Sequence, residues 1–324
     1  MTPLREATAI AHPNIALAKY WGKMDGPDGS SHAQNVPAVP SLSVTLAGMQ
    51  TKTRVVFSPT LERDALSLNG RETDGEPLAR VSALLDRVRS AAKLEAFAEV
   101  ETRNDFPTAS GLASSASGFA ALAFAATRAA GLDSTSAAVS DLARRSSASA
   151  ARSVFGGFVQ LEGRACSVVA PANQLDLHVL VCVTSEGPKA VGSTSAMNET
   201  RTKSPYYAAW LAEAPQIFGQ LRDALLAKDF ASLGALTERS AFAMHACAFA
   251  AGITFFNQAT LDVLAHVRAL RASSLGAFAT MDAGPHVKVL VLGEGRARVE
   301  RSLSAVPGVL RVLHTQPGEG ARIV

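Results

Sequence analysis

The stretch from Ala113 to Ala130 is nearly apolar on every side, which restricts the folds that can accommodate it. A helix without a polar stripe must lie buried between a sheet and other helices. Elsewhere, short apolar runs bounded by turn residues alternate with longer patterns of helical period, which indicates a mixed α/β architecture. With 324 residues and 48% apolar content, the chain is long enough for one large or two modest domains.

These patterns predict six strands and six helices. The predicted strands are Lys52 to Ser58, Phe97 to Thr102, Phe158 to Leu161, Leu175 to Thr184, Gly276 to Met281 and Val287 to Leu292. The predicted helices are Pro77 to Ala92, Ala113 to Ala130, Ser134 to Ser147, Pro205 to Ala227, Phe230 to Ala250 and Asn257 to Arg271. Three long helices follow one another in the second half, which suggests a second lobe. The Ser, Thr and Gly-rich stretch from Thr184 to Ser204 is the predicted seam, so we expect domains at 1–184 and 185–324.

Composition excludes several classes of function. The 31 basic and 28 acidic residues give a net charge of +3, and no basic run interleaves with aromatic residues, so we expect no nucleic-acid partner. The three cysteines are too widely spaced for a C-x-x-C metal site, and their odd number does not suit a disulfide framework. No apolar stretch approaches the roughly 18 residues of a membrane span, and the amino terminus lacks the pattern of an export signal. We therefore expect a cytoplasmic protein with no membrane partner.

A run of small and hydroxyl-bearing residues, Pro107 to Gly118, leads into the apolar helix. Small side chains let the backbone approach a ligand closely, and a helix start presents unpaired N–H groups at the positive end of its dipole. The run is therefore a candidate cradle for an anion, although an ordinary Ser-rich helix cap has the same composition. Neither G-x-x-x-x-G-K-[ST] nor a G-x-G-x-x-G after a strand is present, so a phosphate loop here is of another type.

Two further segments carry cations. Lys19 and Lys23 flank an aromatic pair in an apolar stretch, where they either meet a phosphate or extend to solvent from a strand end. If the segment after Arg144 is helical, then Arg145, Ser149 and Arg152 share one face and can grip a carboxylate or phosphate. A solvated basic helix end is the alternative.

Asp282 lies between two predicted strands, in the segment Met-Asp-Ala-Gly-Pro-His. Taken alone, Asp followed by Gly-Pro is typical of a turn. The histidines, among them His245, show no spacing typical of metal ligands. Any chemistry at Asp282 therefore depends on which other segments fold beside it.

Taken together, these segments resemble the GHMP superfamily of small-molecule kinases, and within it the diphosphomevalonate decarboxylases. The resemblance extends from about residue 8 to residue 292. The matching motifs, in chain order, are Asn14-Ile15-Ala16, Lys19-Tyr20-Trp21-Gly22-Lys23, Ser41 to Leu46, Leu68 to Glu72, Pro107 to Gly118, Ser147 to Arg152, Gly156 to Val159 and Met281 to Pro285.

The resemblance implies a GHMP-kinase-like two-lobe fold. Its amino-terminal lobe is similar to ribosomal S5 domain 2, its carboxy-terminal lobe is ferredoxin-like, and the active site lies between them. The implied reaction phosphorylates the 3-hydroxyl of (R)-5-diphosphomevalonate with ATP, then releases phosphate and CO2 to leave isopentenyl diphosphate in the mevalonate pathway. The resemblance also implies Mg²⁺ and a homodimer.

The resemblance assigns roles residue by residue. The catalytic residues are Asp282, which orients or deprotonates the 3-hydroxyl, Arg152, which holds the substrate carboxylate, and Lys19, which stabilises phosphate charge. The substrate-binding residues are Tyr20, Trp21, Gly22, Lys23, Arg71, Ser147, Ala148, Ser149, Ala150, Ala151, Arg152 and Lys203. The ATP-binding residues are Pro107, Ser110, Gly111, Leu112, Ala113, Ser114 and Ser115, with Ser115 also a magnesium ligand.

Some positions depart from the family pattern. His286 stands where Asn commonly follows Asp-Ala-Gly-Pro, and Lys203-Ser204 stands where Thr-Ser is more usual. These departures leave a diphosphate and a monophosphate at the 5-position as alternatives. A phosphomevalonate decarboxylase, an enzyme that stops at the 3-phosphate, and a non-catalytic metabolite-binding protein are the competing hypotheses.

Overall fold

The computed structural model describes residues 5–25, 34–106, 114–187 and 191–324, which form strands and helices in runs. The strands are β1 (Arg5–Ala11), β2 (Asn14–Ala18), β3 (Ser41–Thr45), β4 (Thr51–Ser58), β5 (Ala65–Leu68), β6 (Arg71–Glu72), β7 (Phe97–Asn104), β8 (Phe158–Glu162), β9 (Ala165–Ala170), β10 (Leu177–Val183), β11 (Ala277–Met281), β12 (Val287–Leu292), β13 (Arg311–Thr315) and β14 (Arg322–Ile323). The helices are α1 (Glu76–Ala92), α2 (Ser114–Ala129), α3 (Ser136–Ser146), α4 (Ala148–Arg152), α5 (Ser193–Lys203), α6 (Tyr207–Leu226), α7 (Phe230–Ala250), α8 (Gln258–Ala272) and α9 (Gly293–Ser304).

The strands form three sheets. A six-stranded sheet has the order β14-β1-β4-β7-β5-β6, and two four-stranded sheets have the orders β2-β3-β8-β9 and β11-β12-β10-β13. The carboxyl-terminal β14 pairs with β1, so the chain ends in the sheet in which it begins. The second sheet lies next to the third, because Thr280 of β11 donates a hydrogen bond to the backbone oxygen of Ala16 in β2.

Helix α2 forms as the sequence predicts, and it packs on β1 and β4 of the six-stranded sheet. The side chains of Ala120, Ala123, Ala125 and Ala126 are completely buried. Because alanine is small, the helix axis lies close to the sheet, and the packed interior holds the helix rigidly. The amino-terminal end of α2, at Ser114, is therefore held in a fixed position.

Two other predicted elements are confirmed residue for residue, namely α7 at Phe230–Ala250 and β12 at Val287–Leu292. The helix predicted from Ser134 to Ser147 forms as α3 (Ser136–Ser146), but it does not continue to Arg152. Ser147 is extended, with φ of −158° and ψ of 122°, and it separates α3 from α4. As a result Arg145 and Arg152 do not share a helical face, and Arg145 pairs with Asp141 at 2.9 Å instead.

The predicted seam between the lobes contains a helix, α5, which buries Ala196, Met197 and Thr200. The strand before it, β10, pairs with β12 and β13 and so belongs to the sheet of the second half. The division at 1–184 and 185–324 stays a prediction. In the described part of the chain, no helix has the length and apolar character needed to cross a membrane.

Gly157 connects three parts of the fold and provides a test of it. Its N–H donates to the Gly318 oxygen at 2.9 Å, and its oxygen accepts from the Thr45 N–H at 3.0 Å. Its φ is +73°, and a Cβ atom there would lie 2.6 Å from the backbone oxygen of Ala170. A side chain at this position therefore causes both a backbone strain and a collision with backbone atoms.

We predict that Gly157→Ala lowers the free energy of unfolding more than Gly163→Ala does. Gly163 also has a positive φ, of +56°, but nothing lies within 4 Å of the position that a Cβ atom would take there. The control substitution carries only the backbone cost of about 1 to 2 kcal/mol, and the collision at Gly157 adds roughly 1 to 3 kcal/mol. Urea unfolding of both variants measures the difference, and equal losses would contradict the close approach at Gly157.

Candidate active site

Segments far apart in the sequence meet in one cleft between the second and third sheets. Side chains from the end of β2, the start of α2, α4, α5, α7 and the end of β11 line it. The lining residues are Asn14, Ala16, Lys19, Tyr20, Trp21, Ser115, Ser149, Arg152, Ser193, Met197, Met244, Asp282 and Ala283. The structure therefore brings all three predicted catalytic residues to one place.

Asp282 directly follows β11, and two ammonium groups hold its carboxylate. Lys19 Nζ lies 2.6 Å from Oδ1, and Lys288 Nζ lies 3.3 Å from Oδ2. Burial by itself would raise the pKa of Asp282, but the charges and hydrogen bonds of Lys19 and Lys288 hold this pKa well below its ordinary value. Asp282 is therefore ionised at neutral pH.

Lys19 directly follows β2 and is 2% exposed. Its backbone N–H donates to the Ser240 hydroxyl of α7 at 2.9 Å, which fixes the point where the chain leaves the strand. Burial lowers the pKa of the Lys19 ammonium to about 8, against the opposing attraction of Asp282. Lys19 is therefore a cation at neutral pH and loses its proton at moderately alkaline pH.

Arg152 lies at the end of α4 with a buried guanidinium group. Its Nε donates to Ser43 Oγ at 2.9 Å, and one terminal nitrogen donates to Ser41 Oγ at 2.7 Å. The other terminal nitrogen donates to Asn14 Oδ1 at 3.3 Å, and the guanidinium lies 5.6 Å from the centre of the Tyr20 ring. No carboxylate of the described residues pairs with it. A buried cation surrounded by neutral partners is suited to receive an anion, because the anion compensates its charge.

The segment Tyr20 to Gly22 contributes two aromatic side chains to the lining of the cleft and one position that only glycine can occupy. Tyr20 and Trp21 both line the cleft, and the Trp21 backbone oxygen accepts a hydrogen bond from the Trp210 indole at 3.1 Å. Gly22 has a φ of +107°, and any Cβ there would collide with the hydroxyl of Tyr207. Only glycine fits this position without strain.

Lys23 lies next to the cleft and is 8% exposed. Its ammonium donates to the Thr194 hydroxyl, at 3.1 Å, near the start of α5. Burial lowers the pKa of Lys23 to about 8, and the charge of Arg80 lowers it further. Lys23 is thus a further buried cation beside the cleft, in addition to Lys19 and Arg152.

In the segment from Ser147 to Ala151, the serines contribute hydroxyl groups at or near the cleft and the alanines contribute interior packing. The hydroxyls of Ser147 and Ser149 lie 3.1 Å apart, and Ser149 lines the cleft. Ala148, Ala150 and Ala151 are buried in the protein interior. Their side chains therefore pack the short helix in place instead of facing the cleft.

The structure also places two predicted substrate-binding cations away from the cleft. Arg71 lies exposed on β6, the edge strand of the six-stranded sheet. Lys203 lies exposed at the end of α5 and pairs with Glu199 at 2.9 Å, one helical turn earlier. Register in a sheet and position in a helix decide these directions, and the motif match alone could not show them.

Pro107, Ser110, Gly111, Leu112 and Ala113 of the predicted ATP loop lie outside the described residues. Ser114 and Ser115 form the first turn of α2, as predicted. Both serines line a second cavity, of about 430 Å³, which adjoins the cleft at Ser115. Side chains such as Leu66 and Phe119 make this cavity largely apolar, with Arg80 at its side. A cavity of this size and character suits a small organic ring system.

The residues fit a magnesium ion that is carried by phosphate groups. The described residues contain no cluster of three or more His, Cys, Asp or Glu side chains that could hold a metal ion. Ser115 presents one hydroxyl at the junction of the two cavities. Mg²⁺ commonly keeps several waters and takes its remaining ligands from substrate phosphates and one or two protein groups, so this sparse donor set is compatible with it.

Two residues at the site received no role in the sequence analysis. Lys288 is completely buried in β12. Asn14 accepts a hydrogen bond from Arg152 and donates to the Ser149 oxygen at 3.0 Å and to Ser153 Oγ at 2.7 Å, so it holds both Arg152 and the α4 segment. The signal for Lys288 is one charged residue in the apolar run Val-Lys-Val-Leu-Val. A fully buried lysine is rare unless it is paired, so this pattern points to a nearby carboxylate.

Two family models cover most of the chain. Residues 11–167 match a diphosphomevalonate decarboxylase-like N-terminal domain, and residues 179–323 match a mevalonate 5-diphosphate decarboxylase C-terminal domain.

Curated relatives carry two related names. The diphosphomevalonate decarboxylase of Candida albicans is 32% identical over 307 residues, covering 87% of this chain and 83% of that protein. The phosphomevalonate decarboxylase of Haloferax volcanii is 32% identical over 304 residues, covering 92% of each.

Solved structures show the same fold over nearly the whole length. Mevalonate diphosphate decarboxylase from Staphylococcus aureus is 34% identical with a TM-score of 0.93, covering 99% of this chain and 98% of that one. The protein named MDDEF, solved in complex with MVAPP, AMPPCP and magnesium, is 36% identical with a TM-score of 0.92, covering 99% of each chain. The predicted two-lobed fold is confirmed, and the chain belongs to the diphosphomevalonate decarboxylase family.

Proposed function

We propose that the protein catalyses the ATP-dependent decarboxylation of (R)-5-diphosphomevalonate to isopentenyl diphosphate, ADP, phosphate and CO2. The observation that carries the proposal is the arrangement of charges in the cleft. An ionised Asp282, held by Lys19 at 2.6 Å, shares the cleft with the uncompensated guanidinium of Arg152. The substrate has a tertiary hydroxyl and a carboxylate, which these two groups can bind together.

Asp282 orients the 3-hydroxyl for in-line attack on the γ-phosphoryl group of ATP. The carboxylate accepts a hydrogen bond from the hydroxyl and so holds its oxygen in the reactive direction. The pKa of Asp282 is far below its ordinary value, which makes this carboxylate a weak base. Positioning therefore contributes more than proton abstraction, and the hydroxyl proton passes to the Asp282 carboxylate only once the forming oxygen–phosphorus bond has made it acidic.

Lys19 supplies positive charge on the same side of the cleft. Its ammonium lies against Asp282 and faces the space that the transferring phosphoryl group enters. A cation at this point stabilises the negative charge on the phosphoryl oxygens in the transition state. The neutral form of Lys19 cannot provide this stabilisation.

Arg152 binds the substrate carboxylate through its guanidinium group. After phosphorylation, the bond between C3 and the phosphate oxygen breaks, and phosphate leaves with the electron pair. The bond between the carboxylate carbon and C2 then breaks, its electrons form the C2–C3 double bond, and CO2 departs. Arg152 keeps the carboxylate in a fixed position relative to C3 until this elimination occurs.

Ser114 and Ser115 support the nucleotide at the junction of the two cavities, where the start of α2 presents backbone N–H groups to the phosphates. The largely apolar second cavity accommodates the base. Magnesium, when bound, neutralises charge on the triphosphate. The Ser115 hydroxyl is the protein group that we propose would contact the magnesium ion.

The 5-phosphate end of the substrate has Lys23, Ser147, Ser149 and Tyr20 as its proposed partners. Arg71 and Lys203, also predicted to bind the substrate, lie away from the cleft. This loss of two cations favours a second candidate, a decarboxylase of 5-phosphomevalonate, which the relative from Haloferax volcanii is named for. Comparing kcat/KM for the two substrates separates the candidates.

The homodimer and the cytoplasmic location expected from the sequence stay predictions. We propose the homodimer as the solution state of the enzyme. Light scattering of the purified protein at several concentrations measures it directly.

We predict that the protein with Mg-ATP and 5-diphosphomevalonate releases ADP, phosphate and CO2 in equal amounts. The physical reason is that each phosphorylated intermediate loses both groups in the elimination. Coupled ADP and phosphate assays, together with trapping of CO2 from carboxyl-labelled substrate, measure the ratio. ADP release without CO2 would reject the decarboxylase and leave the kinase.

We predict that Asp282→Asn lowers kcat by at least about 100-fold while the dissociation constant of the substrate changes little. The amide keeps the shape of the side chain but loses the charge that orients the hydroxyl and pairs with Lys19. Single-turnover kinetics and calorimetry of substrate binding measure the two effects. An unchanged kcat would remove Asp282 from the mechanism.

We predict that kcat falls as pH rises through about 8, because the Lys19 ammonium, with its pKa at about 8, then loses its proton. Lys19→Arg should move this alkaline limb of kcat to higher pH, since a guanidinium stays charged there. Lys23 also has a pKa of about 8. Because Lys23 binds substrate in this mechanism, Lys23→Arg should instead move the alkaline limb of KM. An alkaline limb of kcat that stays in place in Lys19→Arg would exclude Lys19 as its origin.

A further inference from the structure

Lys288 is a buried charged residue that the mechanism above leaves without a role. It lies in β12, where it stands opposite Thr280 of β11. Its side chain is completely buried and does not line the cleft, yet its ammonium lies 3.3 Å from Asp282 Oδ2. Burying an ammonium group costs free energy unless a carboxylate compensates it. Asp282 provides this compensation, and the question is what the buried Lys288 does for a carboxylate of the cleft.

The groups that face Asp282 come from four directions. Lys19 and Tyr20 lie at the end of β2, Arg152 lies on α4, His245 lies on α7, and Lys288 lies on β12. His245 is neutral at physiological pH because burial lowers its pKa to about 3. Of the cations, Lys19 and Arg152 both line the cleft, where the anionic substrates compete for them.

Lys288 differs from these cations because it holds the carboxylate from the interior. Lys19 holds Oδ1 on the cleft side, and Lys288 holds Oδ2 from within the sheet. An arriving phosphoryl group attracts Lys19 and weakens its contact with Asp282. The same group does not reach Lys288, which is completely buried.

We propose that Lys288 is a positioning residue that keeps the Asp282 carboxylate ionised and oriented when the phosphoryl group draws on Lys19. The proposal rests on the proposed function, because it assigns to Asp282 the orientation of the substrate hydroxyl. Lys288 contacts neither ATP nor the acid substrate, and it acts on the reaction through Asp282. When Lys288 holds one oxygen of the Asp282 carboxylate from the interior, the lone pairs on the cleft side remain available to Lys19 and to the substrate 3-hydroxyl.

The first experiment replaces Lys288 by Met, which has a similar length and no charge. We expect kcat to fall roughly 10- to 100-fold, as for a misplaced catalytic group, with KM changed less than about threefold. We also expect the acid limb of kcat to move to higher pH, because removing a cation raises the pKa of the neighbouring carboxyl group. Lys288→Gln, which keeps a hydrogen-bond donor without the charge, serves as the second variant and should show the same movement of the acid limb.

A stability control and a double-mutant cycle separate positioning from folding. Val289 is the next residue of β12 and is also completely buried, so Val289→Ala lowers the melting temperature without removing a charge. Its acid limb should match that of the wild type. In the Asp282→Asn background, Lys288→Met should lower kcat no further, because it has no carboxylate to act through.

A titration tests the same proposal without relying on turnover. Carboxyl-labelled aspartate gives a ¹³C signal for Asp282 that is identified by its absence in Asp282→Asn, and its midpoint should move to higher pH in Lys288→Met. A midpoint that does not move would overturn the role of Lys288. The role would also be overturned if Lys288→Met lowered kcat as much in the Asp282→Asn background as it does in the wild type. If the wild type releases no CO2, the proposed function fails on its own, and the titration still decides whether Lys288 controls Asp282.

Discussion

The contact between one carboxylate and two ammonium groups is the interaction on which the site depends. Asp282 follows a strand of the third sheet, and Lys19 follows a strand of the second. Their contact at 2.6 Å joins two parts of the chain that lie 263 positions apart. Lys19 is buried and Asp282 is partly buried in this pair, so the pair is stable only if the strands on both sides hold their register. Thr280, which contacts the Ala16 backbone, supports that register.

The arrangement of charge also explains why the cleft suits small polyanions. Arg152 is buried among the hydroxyls of Ser41 and Ser43 and the amide of Asn14, none of which carries a charge. Such partners orient a guanidinium but do not neutralise it. The net positive field of the cleft is thus directed at an incoming carboxylate or phosphate, which repays the cost of burying the cation.

Elements with a clear apolar pattern were predictable, and those without one were not. Helices α2 and α7 extend over many residues and have clear composition, so their pattern was sufficient. Helix α5 has little apolar periodicity, so its pattern did not predict a helix in the stretch interpreted as the seam. The helix predicted to end at Ser147 does end there, but the pattern did not show that the extended backbone of Ser147 turns α4 so that Arg152 points inward.

The amino-acid sequence by itself determined the chemistry available to this protein. Its motifs identified Asp282, Arg152 and Lys19, and the resemblance they carry indicated the family that the comparisons confirmed. The tertiary structure alone decided which charges meet. It placed Lys288 behind Asp282 and turned Lys203 toward Glu199, since contacts between residues remote in sequence depend on sheet register and helix packing, which local periodicity does not encode.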